Sequence, residues 1–295
     1  MSQAPRWDVE GHAWPNRTAS RFVTVGPLRW HVQVLGDDTA PVLLLLHGTG
    51  AATHSWRDLA PLLATHFRVI APDLPGHGFT GGRPGGGLTM PAMARAAGDL
   101  MAALGADPVV IVGHSAGAAI GIRMAIDGIA RPRAIIGLGA ALLPIAGLAG
   151  VLFPSLARML FVNPLAPHLF ARTARISGET ARFLARSTGS RIDAQGIAWY
   201  QSLFATPAHC AGAVTMMAQW DLAALRRDLP RLATPLLLIH GARDAAIPIA
   251  HARQVAGIVK QGLLITLPDL GHLAHEEQPQ EIVALIIPFA QEANR

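Results

Sequence analysis

Cysteine is almost missing from this chain. Cys210 is the only one in 295 residues, so no intrachain disulfide can form, and a reducing compartment is the expectation. Lysine is as scarce: Lys260 stands alone among 24 basic residues. It lies far from any glycine-rich turn, which excludes ATP hydrolysis of the P-loop kind. Charged residues make up only 15% and aromatics 5%. The net charge is +5, but the arginines are scattered, without runs or aromatic interleaving. That argues against a nucleic-acid partner and leaves room for a mild attraction to an anionic membrane face or an acidic partner. The N-terminal stretch MSQAPRWDVEGHAWPNR carries acids and no apolar run, so no secretory signal is expected. Thirteen histidines suggest metal, yet there is no H-E-x-x-H and no cysteine cluster, and no metal or cofactor is expected.

What is abundant is apolar. The apolar share of 51% predicts a large core, and the length suits one large domain or a domain carrying a sizeable insertion. One segment, residues 141–162 (ALLPIAGLAGVLFPSLARMLFV), has the length to span a bilayer, which takes about 20 residues. Pro144, Pro154 and Arg158 interrupt it, so it reads as a buried or interfacial cap segment and no transmembrane span is expected.

Residues 1–19 are polar and turn-rich and are expected to form a poorly ordered or loosely docked arm. Residues 21–25 and 28–35 look like a hairpin around Gly26-Pro27. The unbroken run PVLLLL (41–46) then suggests a strand covered on both faces. Residues 55–66 have helical spacing and 68–74 (RVIAPDL) form another buried strand. The glycine-rich residues 81–87 are expected to be a mobile loop, after which Thr89 caps a helix running to about Leu104. Further strands are expected at 133–139, 235–240 and 263–267, with a closing amphipathic helix at 278–292. Alternation of strands and helices means an α/β sheet, mostly parallel, with an antiparallel start. Residues 141–232 show helical patches and no strand alternation. The expected organisation is therefore a core of 20–140 and 233–295, with 141–232 as an inserted helical cap over the carboxyl ends of the strands.

The chemistry centres on residues 109–119, VVIVGHSAGAA, where a β-branched run turns through Gly113-His114-Ser115-Ala116-Gly117 into a helical segment. This is a nucleophile elbow in its required setting: strand, sharp turn, helix. A serine hydroxyl needs a base and the base an orienting acid. Asp244, after the strand PLLLIH, and His272, after LLITLP, supply them in the order Ser, Asp, His. Asp269 is a rival acid, too near His272 in sequence to be the separate orienting group, and His275 is a rival base. For the oxyanion, the N–H of Ala116 is one donor and that of Thr49, in His47-Gly48-Thr49-Gly50, the other, with Gly50 as neighbouring alternative. Gly48-Thr49-Gly50 begins like a dinucleotide loop, but Thr53 stands where the third glycine belongs. Gly48, Gly50 and His114 beside the nucleophile, and Phe153, Met217 and Trp220 from the cap, are candidates to line the substrate site.

With these residues the chain resembles the α/β-hydrolase fold superfamily over roughly residues 22–290. Its elbow, HGTG loop, DLPGHG turn, GARD loop and GHLAHEE loop come in that order. The resemblance implies an eight-stranded, mostly parallel sheet flanked by helices. A serine at the elbow looks like esterases, perhydrolases and carbon–carbon bond hydrolases. Trp14-Pro15-Asn16-Arg17, Trp30-His31-Val32-Gln33, HGTGAATHSW, DLPGHGFT, GHSAGAA, MMAQWDL and GHLAHEE together are similar to the magnesium-chelatase accessory proteins of bacteriochlorophyll biosynthesis. That likeness implies a photosynthetic bacterium and a role near insertion of Mg²⁺ into protoporphyrin. It further implies magnesium-chelatase subunits as partners and a cytoplasmic place peripheral to photosynthetic membranes. It implies no particular reaction. Three functions are then open: a serine hydrolase of a bulky apolar ester, a tetrapyrrole among the candidates; a non-catalytic tetrapyrrole-binding or chelatase-assisting protein with an inherited triad; and a perhydrolase.

Overall fold

The computed structural model describes residues 4–144 and 165–292. Most of the apolar segment 141–162, with the candidate residue Phe153, lies outside the described residues. Eight strands form one sheet in the order β1-β2-β4-β3-β5-β6-β7-β8. They are β1 (Ser20–Val25), β2 (Leu28–Leu35), β3 (Val42–Leu46), β4 (Arg68–Pro72), β5 (Pro108–His114), β6 (Ala134–Leu138), β7 (Leu236–Gly241) and β8 (Gly262–Leu267). Only the β1–β2 and β2–β4 pairs are antiparallel; from β4 through β8 every pair is parallel.

The leucine run of β3 shows why the strands read so clearly. Leu44 and Leu46 face one side with Ile111, Met93, Ile120 and Val255, while Leu43 and Leu45 face the other with Leu59, Leu63, Ile282 and Ile286. Both faces are covered, so alternation disappears and only hydrophobicity remains. The first side belongs to helices α2 (Met90–Ala103) and α3 (Ala116–Ile126); the second belongs to α1 (Leu59–Leu63) and the closing helix Pro279–Glu292.

Between β6 and β7 the described residues form five helices and no strand: α4 (Ala166–Ala174), α5 (Glu179–Thr188), α6 (Ala194–Phe204), α7 (Pro207–Gln219) and α8 (Leu222–Asp228). Asp193 and Asp221 cap α6 and α8, accepting from the Gly196 and Ala224 amides at 2.7 and 2.9 Å. Helix α9 (Ile249–Ile258) separates β7 from β8, and a short α10 (Ala274–Glu277) precedes α11 (Pro279–Glu292). Among the described residues, no helix is long and apolar enough to cross a membrane.

Three local expectations need correction. The helix expected over 55–66 is split into a 3-10 turn, Thr53–Trp56, and α1, because a longer helix would put Pro61 in its interior, where its missing N–H breaks the ladder. Thr89 does not cap α2 with its side chain; its hydroxyl donates back to the Gly86 carbonyl at 3.1 Å. The loop expected to be mobile is tied at both ends. Gly81 exchanges two hydrogen bonds with Arg29 at 2.9 and 3.0 Å, and the Leu88 amide donates to Gln219 of α7 at 2.7 Å.

The arm is not loosely docked either. Trp14 donates to the Thr53 hydroxyl at 2.9 Å, Gln33 donates to the Pro15 carbonyl at 2.6 Å, and Asn16 donates to the Arg57 carbonyl at 3.0 Å. Trp199 of α6 donates to the Ala13 carbonyl at 2.9 Å, so the arm straps cap to core. Polar composition masked this, because two tryptophans hold it rather than a periodic apolar face.

Candidate active site

Parallel pairing from β3 through β8 brings the loops after β3, β5, β7 and β8 to one edge of the sheet. The turn after β5 is strained: Ser115 has φ 50° and ψ −114°, a conformation that costs a non-glycine residue about 1–3 kcal/mol. Its amide donates to the Leu138 carbonyl at 2.9 Å and its carbonyl accepts from Ala118 and Ala141 at 3.2 Å each, so neighbouring structure over-determines the strained backbone. Helix α3 can start there because Gly117 has no side chain. A Cβ on it would sit 1.9 Å from the Leu46 carbonyl oxygen.

Asp244 follows β7. Its Oδ1 accepts from the Ala246 and Ile247 amides at 2.8 Å each. Its Oδ2 lies 2.7 Å from His272 Nδ1, and both side chains are buried. With its two backbone donors occupying Oδ1, the carboxylate presents Oδ2 to the imidazole and accepts its Nδ1–H. The His272 ring lies over Gly139, 2.8 Å from where a Cβ there would be, next to the Leu138 carbonyl that holds the Ser115 amide. Ser115 Oγ and His272 Nε2, both among the described residues, do not form a hydrogen bond with each other; such bonds are often long until substrate arrives.

The loop after β3 is a tight turn. Gly48 accepts from the Ala51 amide at 3.2 Å, and Gly50 takes φ +78°, as the third position of a type II turn requires. Among the described residues the Thr49 amide donates to no backbone carbonyl. Ala116, as the first residue of α3, has an N–H with no intrahelical acceptor. A Cβ on Gly48 would be 3.1 Å from Ser115 Cβ, so this turn and the elbow are neighbours.

A profile of the alpha/beta hydrolase fold matches residues 41–279. The chain belongs to the α/β-hydrolase fold family. It is 40% identical over 278 residues to the magnesium-chelatase 30 kDa subunit of Rhodobacter capsulatus, covering 94% of this chain and 96% of that one. It is 27% identical over 278 residues, covering 91% and 90%, to the 2-hydroxy-6-oxo-6-(2'-aminophenyl)hexa-2,4-dienoic acid hydrolase of Metapseudomonas resinovorans. Among solved structures it resembles a putative lipase from Acinetobacter baumannii with a TM-score of 0.77 at 20% identity, over 93% of this chain and 91% of that one. At that identity the likeness speaks for the fold.

In this α/β hydrolase-fold chain the other candidates are placed as follows. Asp269 turns outward to pair with Arg243 at 2.7 Å and is 78% exposed, away from His272. His275 is buried with Nε2 on the Ser55 hydroxyl at 2.8 Å. His114 points into the protein, its Nε2–H donating to the His272 carbonyl at 3.1 Å. Burial, with His275 and His272 nearby, holds its pKa well below the ordinary imidazole value, so it serves the His272 loop as a neutral ring. Trp220 donates to the Leu88 carbonyl at 3.0 Å and packs against the core. Met216 on α7, the residue before the candidate Met217, meets the turn at residues 48–51, its sulfur 3.7 Å from Thr49 Oγ1.

Sequence reasoning missed the cap's grip on the site. The Thr188 carbonyl, at the end of α5, accepts from both His272 N–H at 2.8 Å and Ala245 N–H at 3.3 Å. The Ser190 hydroxyl accepts from Leu273 N–H at 2.8 Å. It also missed Glu276, buried beneath the cap, whose Oε1 accepts from Ser55 at 2.6 Å and from Tyr200 of α6 at 2.7 Å. No local pattern announces such partners, which lie 76 and 221 residues apart in the chain.

Burial pushes the Glu276 carboxyl up from 4.5 to about 7, against the lowering effect of its two hydroxyl donors. The folded chain therefore holds a proton that the unfolded chain releases between those values. This contribution to stability is complete below pH 4.5 and is lost as pH rises to about 7. Glu276→Gln keeps an acceptor for both hydroxyls and cannot ionise. Urea melts should show it gaining on the parent by up to about 3 kcal/mol between pH 5 and pH 8. An unchanged difference would mean that Glu276 is not held protonated.

Proposed function

We propose that this chain is a serine hydrolase acting on an ester-like, bulky apolar substrate. Ser115 Oγ attacks the carbonyl carbon as His272 Nε2 takes its proton. The imidazolium so formed is steadied by Asp244 through Nδ1–H. The Ala116 and Thr49 amides donate to the oxyanion of the tetrahedral intermediate. Collapse releases the alcohol, protonated by His272, and leaves an acyl-Ser115. Water, deprotonated by His272, cleaves that ester in the second half.

The observation that carries this reading is the buried 2.7 Å His272–Asp244 pair at the sheet edge where Ser115 holds its strained turn. A bulky apolar substrate suits the Met216 and Phe204 side chains that meet the Thr49–Gly50 turn from the cap. A fluorophosphonate probe should label the parent chain and not Ser115→Ala; equal labelling would remove Ser115 from the mechanism.

The pathway comes from likeness. The relative named as a magnesium-chelatase subunit is 40% identical over nearly its whole length. We therefore place the substrate among tetrapyrrole esters, the chelatase subunits among the partners, and the protein in the cytoplasm beside photosynthetic membranes. The same name favours a second reading, a non-catalytic chelatase assistant with an inherited triad. In a host strain, Ser115→Ala then leaves bacteriochlorophyll normal, whereas the hydrolase reading expects pigment to fall. A perhydrolase would show peroxide-dependent oxidation in acetate that requires Ser115.

A further inference from the structure

The oxyanion turn is held from outside the sheet domain by one imidazole. His209, on α7 of the cap, is 1% exposed. Its Nε2 lies 3.0 Å from the Gly50 carbonyl, and its Nδ1 accepts from the Gly78 amide at 3.0 Å. An N–H donor at Nδ1 fixes the tautomer: the ring proton is on Nε2, directed at Gly50. Two other rings fix the plane, His77 edge-on at 5.3 Å and Phe204 at 6.3 Å.

We propose that His209 is a positioning residue, through which the cap sets the orientation of the oxyanion turn against the loop carrying Gly78. This rests on the serine-hydrolase reading and deepens it. The turn of residues 48–51 has only one internal backbone hydrogen bond, Ala51 N–H to Gly48, at 3.2 Å. Gly50, at its third position, is free to rotate in a way no other residue is. The His209 contact removes that freedom at the Gly50–Ala51 peptide, two peptides on from the one carrying the Thr49 donor. Burial pushes the imidazole down to about 4, so it stays neutral, with one donor and one acceptor, across the working range. Met216, two turns along the same helix, reaches the Thr49 hydroxyl, so α7 touches the turn at consecutive residues.

The test pairs two variants with two readouts. His209→Phe keeps a buried ring and loses both hydrogen bonds; His209→Gln keeps one donor and one acceptor on a flexible arm. With a p-nitrophenyl ester, His209→Phe should lower kcat by about 10²-fold, the size of effect that donor misplacement produces, with KM within a few-fold of the parent. His209→Gln should recover most of the loss. Hydrogen exchange should rise in peptides covering 46–54 and 74–80 in His209→Phe, and stay unchanged over 109–119. Equal kcat in the parent and His209→Phe, or exchange rising everywhere alike, overturns the proposal. If the parent neither hydrolyses the ester nor binds fluorophosphonate, the hydrolase reading fails. The exchange pattern then still decides whether His209 holds the turn.

Discussion

Asp244→Asn should slow ester hydrolysis by about 10⁴-fold in kcat while leaving the fold intact, the scale set by comparable changes in other triads. The geometry dictates the reason. Oδ1 of Asp244 is claimed by the Ala246 and Ile247 amides, both at 2.8 Å. An amide side chain must keep its oxygen there, because turning its NH2 to those donors would oppose N–H to N–H. The NH2 then faces His272 Nδ1, where Oδ2 sits at 2.7 Å in the parent. Nδ1 becomes the acceptor, the ring proton moves to Nε2, and His272 can no longer take a proton from Ser115. A p-nitrophenyl ester assay, with thermal melting as the control for folding, reads the effect. A loss of less than tenfold would mean that His272 is not the base or that its tautomer is set elsewhere.

Gly117→Ala should be among the most damaging single methyl groups that the described residues could receive. The added Cβ would lie 1.9 Å from the Leu46 carbonyl oxygen, 2.5 Å from its carbon and 2.7 Å from the His47 carbonyl oxygen. None of these atoms is the tip of a flexible side chain. Leu46 ends β3 in a ladder with Gly113 of β5, so relief requires the start of α3 to move away from the sheet. Such backbone overpacking belongs to the class of substitutions costing roughly 4 kcal/mol or more. A fall in Tm of about 10 °C or failure to fold is expected. Whatever protein survives should be poorly labelled by fluorophosphonate, because the elbow and the turn at residues 48–51 are pushed apart together. A melting point within 2 °C of the parent would refute the close approach.

The sheet could be read from the sequence because each central strand is buried on both faces. An unbroken apolar run as short as Val42–Leu46, bounded by turn residues, fits a covered strand and is too short for a helix. Ser115, Asp244 and His272 stood out because each follows such a strand, at the one edge where parallel strands end together. What could not be read depends on distant partners or on rotation within a helix. Met216 and Met217 are one residue apart but about 100° apart around α7, and only packing tells which meets Thr49. Helix α9 went unnoticed, since few of its ten residues face the core: Ala252 and Val255 are the buried ones. Thr188, Ser190, Tyr200 and His209 look unremarkable along the chain, yet each makes a bond that fixes a loop of the site.

The Thr188 carbonyl has a consequence for engineering. By receiving the amides of both His272 and Ala245, it makes the inserted helices part of what holds the loops after β7 and β8. A chimera that trades this insertion wholesale for that of another chain of the same fold would have to import an oxygen at the same spot or leave two loop amides without their acceptor. Side chains such as Phe204 and Met216, which meet the Thr49–Gly50 turn, can be exchanged one at a time with the peptide backbone around 188–190 left as it is.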